Sequence, residues 1–190
     1  MAELVLFHHA LGQTSGFHAF AADLRLAGHR IHTPDLYEGR TFDTVDAGVA
    51  HVRRIGFGKL MDRGVAAAAA LPQALVYAGF SMGAMPAQKL AQTRSGALGA
   101  LLFHACMPVA EFSPSWPKGV GVQIHAMEAD PFFVGEDLTA ARHLAASAAH
   151  AELYLYPGDK HLFADRSLPD HDVASAALLM KRVLAFLSAR

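Results

Sequence analysis

The sequence predicts an α/β fold in which a compact, mostly parallel central sheet carries helices on both faces. Three observations lead there. Apolar, strand-like runs alternate with helical patterns along the chain, as in parallel strands joined by helical crossovers. Residues 97–104 are an almost unbroken apolar run containing Leu98, Leu101, Leu102 and Phe103, as expected for a strand covered on both faces. Residues 74–78 form another apolar run, which ends in Gly79-Phe80-Ser81-Met82-Gly83 before small and apolar residues begin a helical pattern.

Taken in order, residues 4–8 read as a buried strand. Gly12, Thr14 and Ser15 then turn the chain into a helix marked by Phe17, Phe20, Ala21 and Leu24, and Gly28 ends it. Residues 29–33 make a short second strand closed by Pro34-Asp35, followed by a polar, loop-like stretch over 36–46. Residues 45–54 and 60–71 have helical character, separated by a break around Gly56-Phe57-Gly58; the alanine tract 66–70 favours the second helix and Pro72 stops it. A helix is expected over 84–93, where Pro86 falls in the first turn and costs no hydrogen bond. Beyond it come a loop at 108–117, a strand at 121–127, a helix at 137–149, a last strand at 151–156 and a closing helix at 173–188. No repeat, charge block or long linker interrupts this order, so residues 1–190 are read as a single domain with no lid inserted into the sheet.

The composition, 53% hydrophobic and 17% charged with a formal net charge of -1, excludes disorder and gives no electrostatic footprint for nucleic acid. Cys106 is the only cysteine, which rules out an internal disulfide and fits a reducing compartment. The first apolar run follows Glu3 without a basic leader or a long apolar core, so it reads as a strand and not a signal peptide. No run of about 18 apolar residues is present, so no membrane span is expected and a cytoplasmic protein is the default. Neither a His-x-x-x-His nor a Cys/His spacing accompanies His8 and His9, and no metal or cofactor is expected.

The chemistry starts from Gly79-x-Ser81-x-Gly83, the pattern of a nucleophile elbow. Such a turn strains the backbone at Ser81 and brings neighbouring chain so close that only glycine fits on either side. The serine then stands at a helix N-terminus, whose free amides favour developing negative charge and suit acyl transfer. In an open parallel sheet, functional groups collect at the carboxyl ends of the strands. Glu128 and Asp130 follow the strand at 121–127, and His161 follows the last strand in Tyr156-Pro157-Gly158-Asp159-Lys160-His161. The order Ser, Asp, His is that of the α/β-hydrolase fold. The acid is left between Glu128 and Asp130 by position alone.

Pro34-Asp35-Leu36-Tyr37, Gly79-Phe80-Ser81-Met82-Gly83, Asp130-Pro131-Phe132 and Tyr156-Pro157-Gly158-Asp159-Lys160-His161-Leu162-Phe163 together resemble the dienelactone hydrolase family over almost the whole length. The resemblance implies Ser81 as nucleophile, His161 as general base and Asp130 as the acid that orients it. It also implies an oxyanion hole formed by the amides of Met82 and Ala10, with Leu11 as the near alternative. Three positions depart from the family pattern. Ser81 stands where cysteine is typical, His9 where the first loop carries a glutamate, and Asp165 where an arginine helps hold a substrate carboxylate; Arg166 follows one place later.

The expected pocket is built from the short loops after the strands. His9, Leu11, Tyr37 and Arg40 would line it from the first half of the chain, and His104, Phe132, Phe163 and Arg166 from the second, with Met107 and Trp116 nearby. The function expected is hydrolysis of a small ester or lactone through an acyl-enzyme by a monomer or small homo-oligomer. A thioesterase or general carboxylesterase with the same triad, and a non-catalytic small-ligand-binding module of the same fold, are the alternatives.

Overall fold

The computed structural model describes residues 1–190. Its strands are β1 (Glu3–Phe7), β2 (Arg30–His32), β3 (Val76–Phe80), β4 (Gly99–Phe103), β5 (Gly121–Met127) and β6 (Ala151–Tyr156). Every pairing is parallel, and the six strands lie in the order β2-β1-β3-β4-β5-β6. The chain starts in the middle, steps outward to β2, returns past β1 to β3 and then proceeds to the other edge. The switch in direction falls between β1 and β3, so the loops at their carboxyl ends diverge and leave a crevice between them. Residues 8–12 and the serine turn occupy those two ends.

Alternation along each strand feeds two apolar layers. Val5, Phe7 and Tyr77 face one layer, closed by α2 (Val45–Ile55), α3 (Phe57–Ala69), α4 (Ala84–Thr93) and α5 (Glu136–Ser147). Leu4, Leu6, Val76, Ala78 and Phe80 face the other, closed by α1 (Ser15–Leu26) and α6 (Val173–Ser188). Both faces of the sheet are therefore covered, as the unbroken apolar strands require. Three helices begin on side-chain caps: Thr14 accepts from the Phe17 amide, Thr44 from that of Ala47, and Asp172 from that of Ser175.

Some boundaries differ from the sequence reading. The break expected around Gly56-Phe57-Gly58 is confined to Gly56, whose φ of +91 ends α2, and Phe57 already opens α3. The central strand begins at Val76 and runs through Phe80, because the Leu75 amide is held in a turn by the Gln73 carbonyl and Gly79 and Phe80 pair with β4. The loop at 108–117 contains one short 3-10 turn, Val109–Glu111.

The glycines of the serine turn are fixed by contact. A Cβ at Gly79 would lie 2.0 Å from the Gly83 carbonyl oxygen, and one at Gly83 would lie 2.5 Å from the His8 carbonyl oxygen. Gly58, inside α3, has nothing within 4 Å of its would-be Cβ. Gly83→Ala should therefore destabilise the protein by about 1–3 kcal/mol, whereas Gly58→Ala should stabilise it by about 0.5–1 kcal/mol. Urea denaturation of the two variants checks the opposite signs.

Candidate active site

Ser81 opens a 3-10 turn, Ser81–Gly83, that leads directly into α4. Its φ of 51 places it in the left-handed region, where only two other non-glycine residues are found, Glu38 and His104. The strand ends, the chain turns sharply, and the hydroxyl is held above the sheet. Ser81 Oγ lies 2.8 Å from His161 Nε2, and His161 Nδ1 lies 2.7 Å from Asp130 Oδ2. A carboxylate can only accept, so Nδ1 carries the proton and Nε2 is left to receive the serine hydrogen. Asp130 is fully buried just beyond β5, and its Oδ1 accepts from the Phe132 amide at 2.9 Å. Glu128 is exposed, with its backbone amide on the Tyr156 carbonyl.

Opposite the serine, the loop after β1 is held by two adjacent histidines used in opposite senses. His8 Nδ1 donates to the His9 carbonyl at 2.8 Å, and its Nε2 accepts from the Leu36 amide at 3.0 Å. Burial pushes the His8 imidazole down to about 4, although its hydrogen bond to the His9 carbonyl pulls the other way. His9 Nδ1 accepts from the Leu11 amide at 3.2 Å, and its Nε2 meets Asp165 Oδ2 at 2.9 Å. The Gly12 amide is taken by the His9 carbonyl, and the Ala10 amide has no acceptor in the chain. Met82 lies in the first turn of its helix, where amides have no partner inside the helix. Ala10, Leu11 and Leu162 form a small apolar cluster of their own, with Met82 packed on it.

A model of the dienelactone hydrolase family matches residues 2–190. The chain belongs to the dienelactone hydrolase family. Membership makes it a hydrolytic enzyme acting on esters, and its sheet is that of the α/β-hydrolase fold. No curated protein sequence matches the chain. A dienelactone hydrolase-like promiscuous phosphotriesterase from metagenomic libraries superposes with a TM-score of 0.75 at 17% identity, covering 100% of this chain and 86% of its own. A cold-adapted esterase from an Arctic intertidal metagenomic library, in a zinc-bound structure, gives 0.65 at 18% identity over 97% and 82%. Mouse alpha/beta hydrolase domain-containing protein 10 gives 0.72 at 11% identity over 98% and 90%.

Two of the positions that depart from the dienelactone hydrolase pattern, His9 and Asp165, touch each other. Burial pushes the Asp165 carboxyl up, but hydrogen bonds from His9, from the Ser167 side chain and amide and from Thr14 outweigh it and hold the group well below the usual carboxylate range. Thr14 and Ser167 were not singled out from the sequence; Thr14 was visible only as a turn residue before α1. Arg166 does not replace the family arginine, because its guanidinium is paired at 2.7 Å with Asp23 on α1. Arg40 is exposed and joins no ion pair.

The remaining expected pocket residues divide into four groups. Phe132 is 54% exposed and lies over the His161 ring at 4.6 Å between centroids, at the mouth of the site. Tyr37, Phe163 and Trp116 are core residues: Tyr37 packs on His8 and His51, Phe163 on His104 and Tyr156, and the Trp116 indole donates to the Val120 carbonyl. Tyr37 and Phe163 thus back the histidines beside the site, His8 and His104, whereas Trp116 packs into an apolar layer next to the start of β5. Met107 is tied through its backbone to the Gln88 side chain on α4. His104 is buried 5.8 Å from the His161 ring, and neither of its nitrogens has a partner.

Cys106 and Asp137 form a second pair that sequence reasoning only half anticipated. Burial, and then the neighbouring Asp137 carboxylate, push the Cys106 thiol up to about 12, as befits a small buried side chain. Asp137 accepts from the Cys106 amide at 3.0 Å, yet burial still pushes its carboxyl up to about 6. Only its place in the first turn of α5 marked Asp137 in the sequence.

The buried imidazoles set the acid sensitivity of the fold. His8 is held down to about 4 and His125, wedged among Phe103, Tyr154 and Tyr156, to about 3, from an ordinary value of 6.5; burial is the main cause in each. The unfolded chain takes up these protons first, so their contribution is fully present above pH 6.5 and is lost as pH falls towards the folded values. At roughly 1.4 kcal/mol for each tenfold change in proton affinity, the loss by the acid end of that window is about 3 kcal/mol for His8 and about 5 kcal/mol for His125. Asp165, depressed in the folded state, adds a further loss below about pH 4. Urea denaturation across this range should show stability falling steeply with acid, and His125→Gln should make that slope shallower by about one proton.

Proposed function

We propose that residues 1–190 form a single-domain serine hydrolase that cleaves a small, uncharged ester or lactone through an acyl-enzyme. The observation that carries the reading is the unbroken chain from Ser81 Oγ to His161 Nε2 at 2.8 Å and from His161 Nδ1 to Asp130 Oδ2 at 2.7 Å. In this reading His161 removes the serine proton as Oγ attacks the substrate carbonyl carbon. Negative charge gathers on the carbonyl oxygen, where the amides of Met82 and Ala10 receive it. Asp130 keeps the imidazole in the productive tautomer and offsets its transient positive charge. As the tetrahedral adduct collapses, His161 returns the proton to the departing alkoxide, which leaves as the alcohol. A water molecule then repeats the sequence on the acyl-enzyme and releases the acid and free Ser81.

Substrate class follows from what surrounds the serine. Met82, packed on the buried cluster of Ala10, Leu11 and Leu162, and Phe132 offer apolar surface, the nearby carboxylates of Asp137 and Asp165 oppose an anion, and Arg166 is engaged elsewhere. A reducing, cytoplasmic setting suits a chain whose single cysteine is a buried thiol.

Fluorophosphonate labelling should be lost in Ser81→Ala, and its kcat on a chromogenic ester should fall by about 10^5 or more. Asp130→Asn should cost about 10^4 in kcat through the wrong imidazole tautomer, while Glu128→Gln leaves kcat unchanged. Equal labelling of wild type and Ser81→Ala would overturn the serine mechanism. A neutral ester should exceed its carboxylated analogue in kcat/KM by roughly tenfold, since no bidentate arginine contact compensates the anion. A preference for the anion that Arg40→Ala abolishes would overturn the substrate class.

A further inference from the structure

The two family departures, His9 and Asp165, are built into the site as one device. His9 is 1% exposed and lies between the elbow and α1, and each of its ring nitrogens has a different kind of partner. A backbone N–H can only donate, so the Leu11 amide requires Nδ1 to accept, and the ring proton must sit on Nε2, facing Asp165. Asp165 is itself held from three sides. Its Oδ1 accepts from the Ser167 amide at 2.9 Å and the Ser167 hydroxyl at 2.6 Å, and its Oδ2 accepts from Thr14 as well as His9. It sits against the N-terminal turn of α1, where a Cβ at Gly16 would overlap Oδ1 at 1.7 Å. The seat thus admits a carboxylate, and the N-terminal end of a helix favours its charge.

We propose that His9 is a positioning residue for the oxyanion hole: fixed as the Nε2–H tautomer by Asp165, it draws the Leu11 amide inward and leaves the Ala10 amide free to face the substrate oxygen. The proposal rests on the hydrolase reading above. The loop has little other freedom, because a Cβ at Gly48 on α2 would lie 2.0 Å from the Ala10 carbonyl oxygen and the Phe42 amide holds the Leu11 carbonyl at 3.0 Å. The imidazole therefore decides which of two successive amides is consumed within the chain. His9 touches no reacting atom in this scheme and acts through Ala10.

Asp165→Asn tests the device through the tautomer. The Ser167 amide is an obligate donor, so the new carboxamide oxygen must stay on it and the carboxamide nitrogen must face His9. His9 Nε2 then becomes an acceptor, the ring proton moves to Nδ1, and it collides with the Leu11 N–H. Nitrogen-15 NMR of histidine-labelled protein should report His9 as the Nε2–H tautomer in the wild type and as the Nδ1–H tautomer in Asp165→Asn. Kinetics on a neutral chromogenic ester should show kcat lower by at least about tenfold, a part of what loss of an oxyanion donor costs. KM and the shape of the pH profile of kcat/KM should stay as they are, a pattern that general loosening of the fold does not give.

A second pair of variants keeps the test independent of how well Asp165→Asn folds. His9→Asn retains an acceptor near the position of Nδ1, whereas His9→Gln retains only a donor towards Asp165, so the first should keep the greater kcat. A kcat that survives the tautomer exchange, or falls without it, overturns the positioning role, and so does a His9→Gln enzyme as fast as His9→Asn. A wild-type protein that neither turns over esters nor takes the fluorophosphonate label overturns the hydrolase reading itself, whatever tautomer NMR reports.

Discussion

The close approach of the serine turn to the loop after β1 is the constraint on which the site depends. Gly83 lies so near the Phe7 and His8 carbonyls that a single methyl group would meet them at 2.7 and 2.5 Å. That approach exists because β1 and β3 are neighbours in the sheet although the chain between them makes a β-strand and three helices. It packs Met82 of one segment against Ala10 and Leu11 of the other, the two segments whose amides form the proposed oxyanion hole. Backbone donors fixed in this way need no reorganisation when charge develops, which is where such sites gain most over water. The strain at Ser81, of the order of 1–3 kcal/mol for a non-glycine residue held in a sparsely populated region, is tolerated because packing on both faces of the sheet leaves the turn no other path.

Much of this was legible in the sequence because the signals were local and redundant. Five apolar runs and the short stretch at 29–33, each followed by a loop with polar residues, gave the strands and their parallel pairing, and Gly79, Ser81 and Gly83 gave the turn. The strand ends moved by a residue or two, since pairing with a neighbour and not propensity decides where a strand stops. The site's support was less legible. Thr14, Asp165 and Ser167 meet through contacts spanning some 150 residues of sequence, from a helix cap to the loop after the last strand, and no local pattern records such a meeting. Tyr37, Phe163 and Trp116 read as pocket walls because they follow strands, yet each turns its ring into the core, where a large apolar side chain gains more from burial than at an open mouth.

The histidines follow a similar division. His161 and His9 are placed by carboxylates, whereas His8, His104 and His125 are kept neutral by burial. His8 and His125 are satisfied by backbone, tyrosine and glutamine partners, so they act as polar struts within apolar layers. A strut of this kind fixes one arrangement of the chain, at the cost of acid sensitivity. Phenylalanine at such a position would fill the volume without setting the register of the loops.

His104 is the exception, and its position explains why an unpartnered imidazole is tolerable there. It carries a left-handed backbone, with φ 65, and two unpaired ring nitrogens, both of which cost stability. Its amide is anchored at 2.7 Å to the His125 carbonyl, and its ring lies along Phe80 and edge-on to Phe163. Burial foremost, and then the neighbouring His161, His9 and His125, push its imidazole well below the ordinary value. In the proposed reaction His161 becomes cationic each time Ser81 attacks, 5.8 Å from the His104 ring. A protonated side chain at that distance in a low-dielectric interior would oppose the proton transfer. Because burial denies His104 its charge, no cation stands on that side to oppose His161 when, in the proposed mechanism, it takes the serine proton.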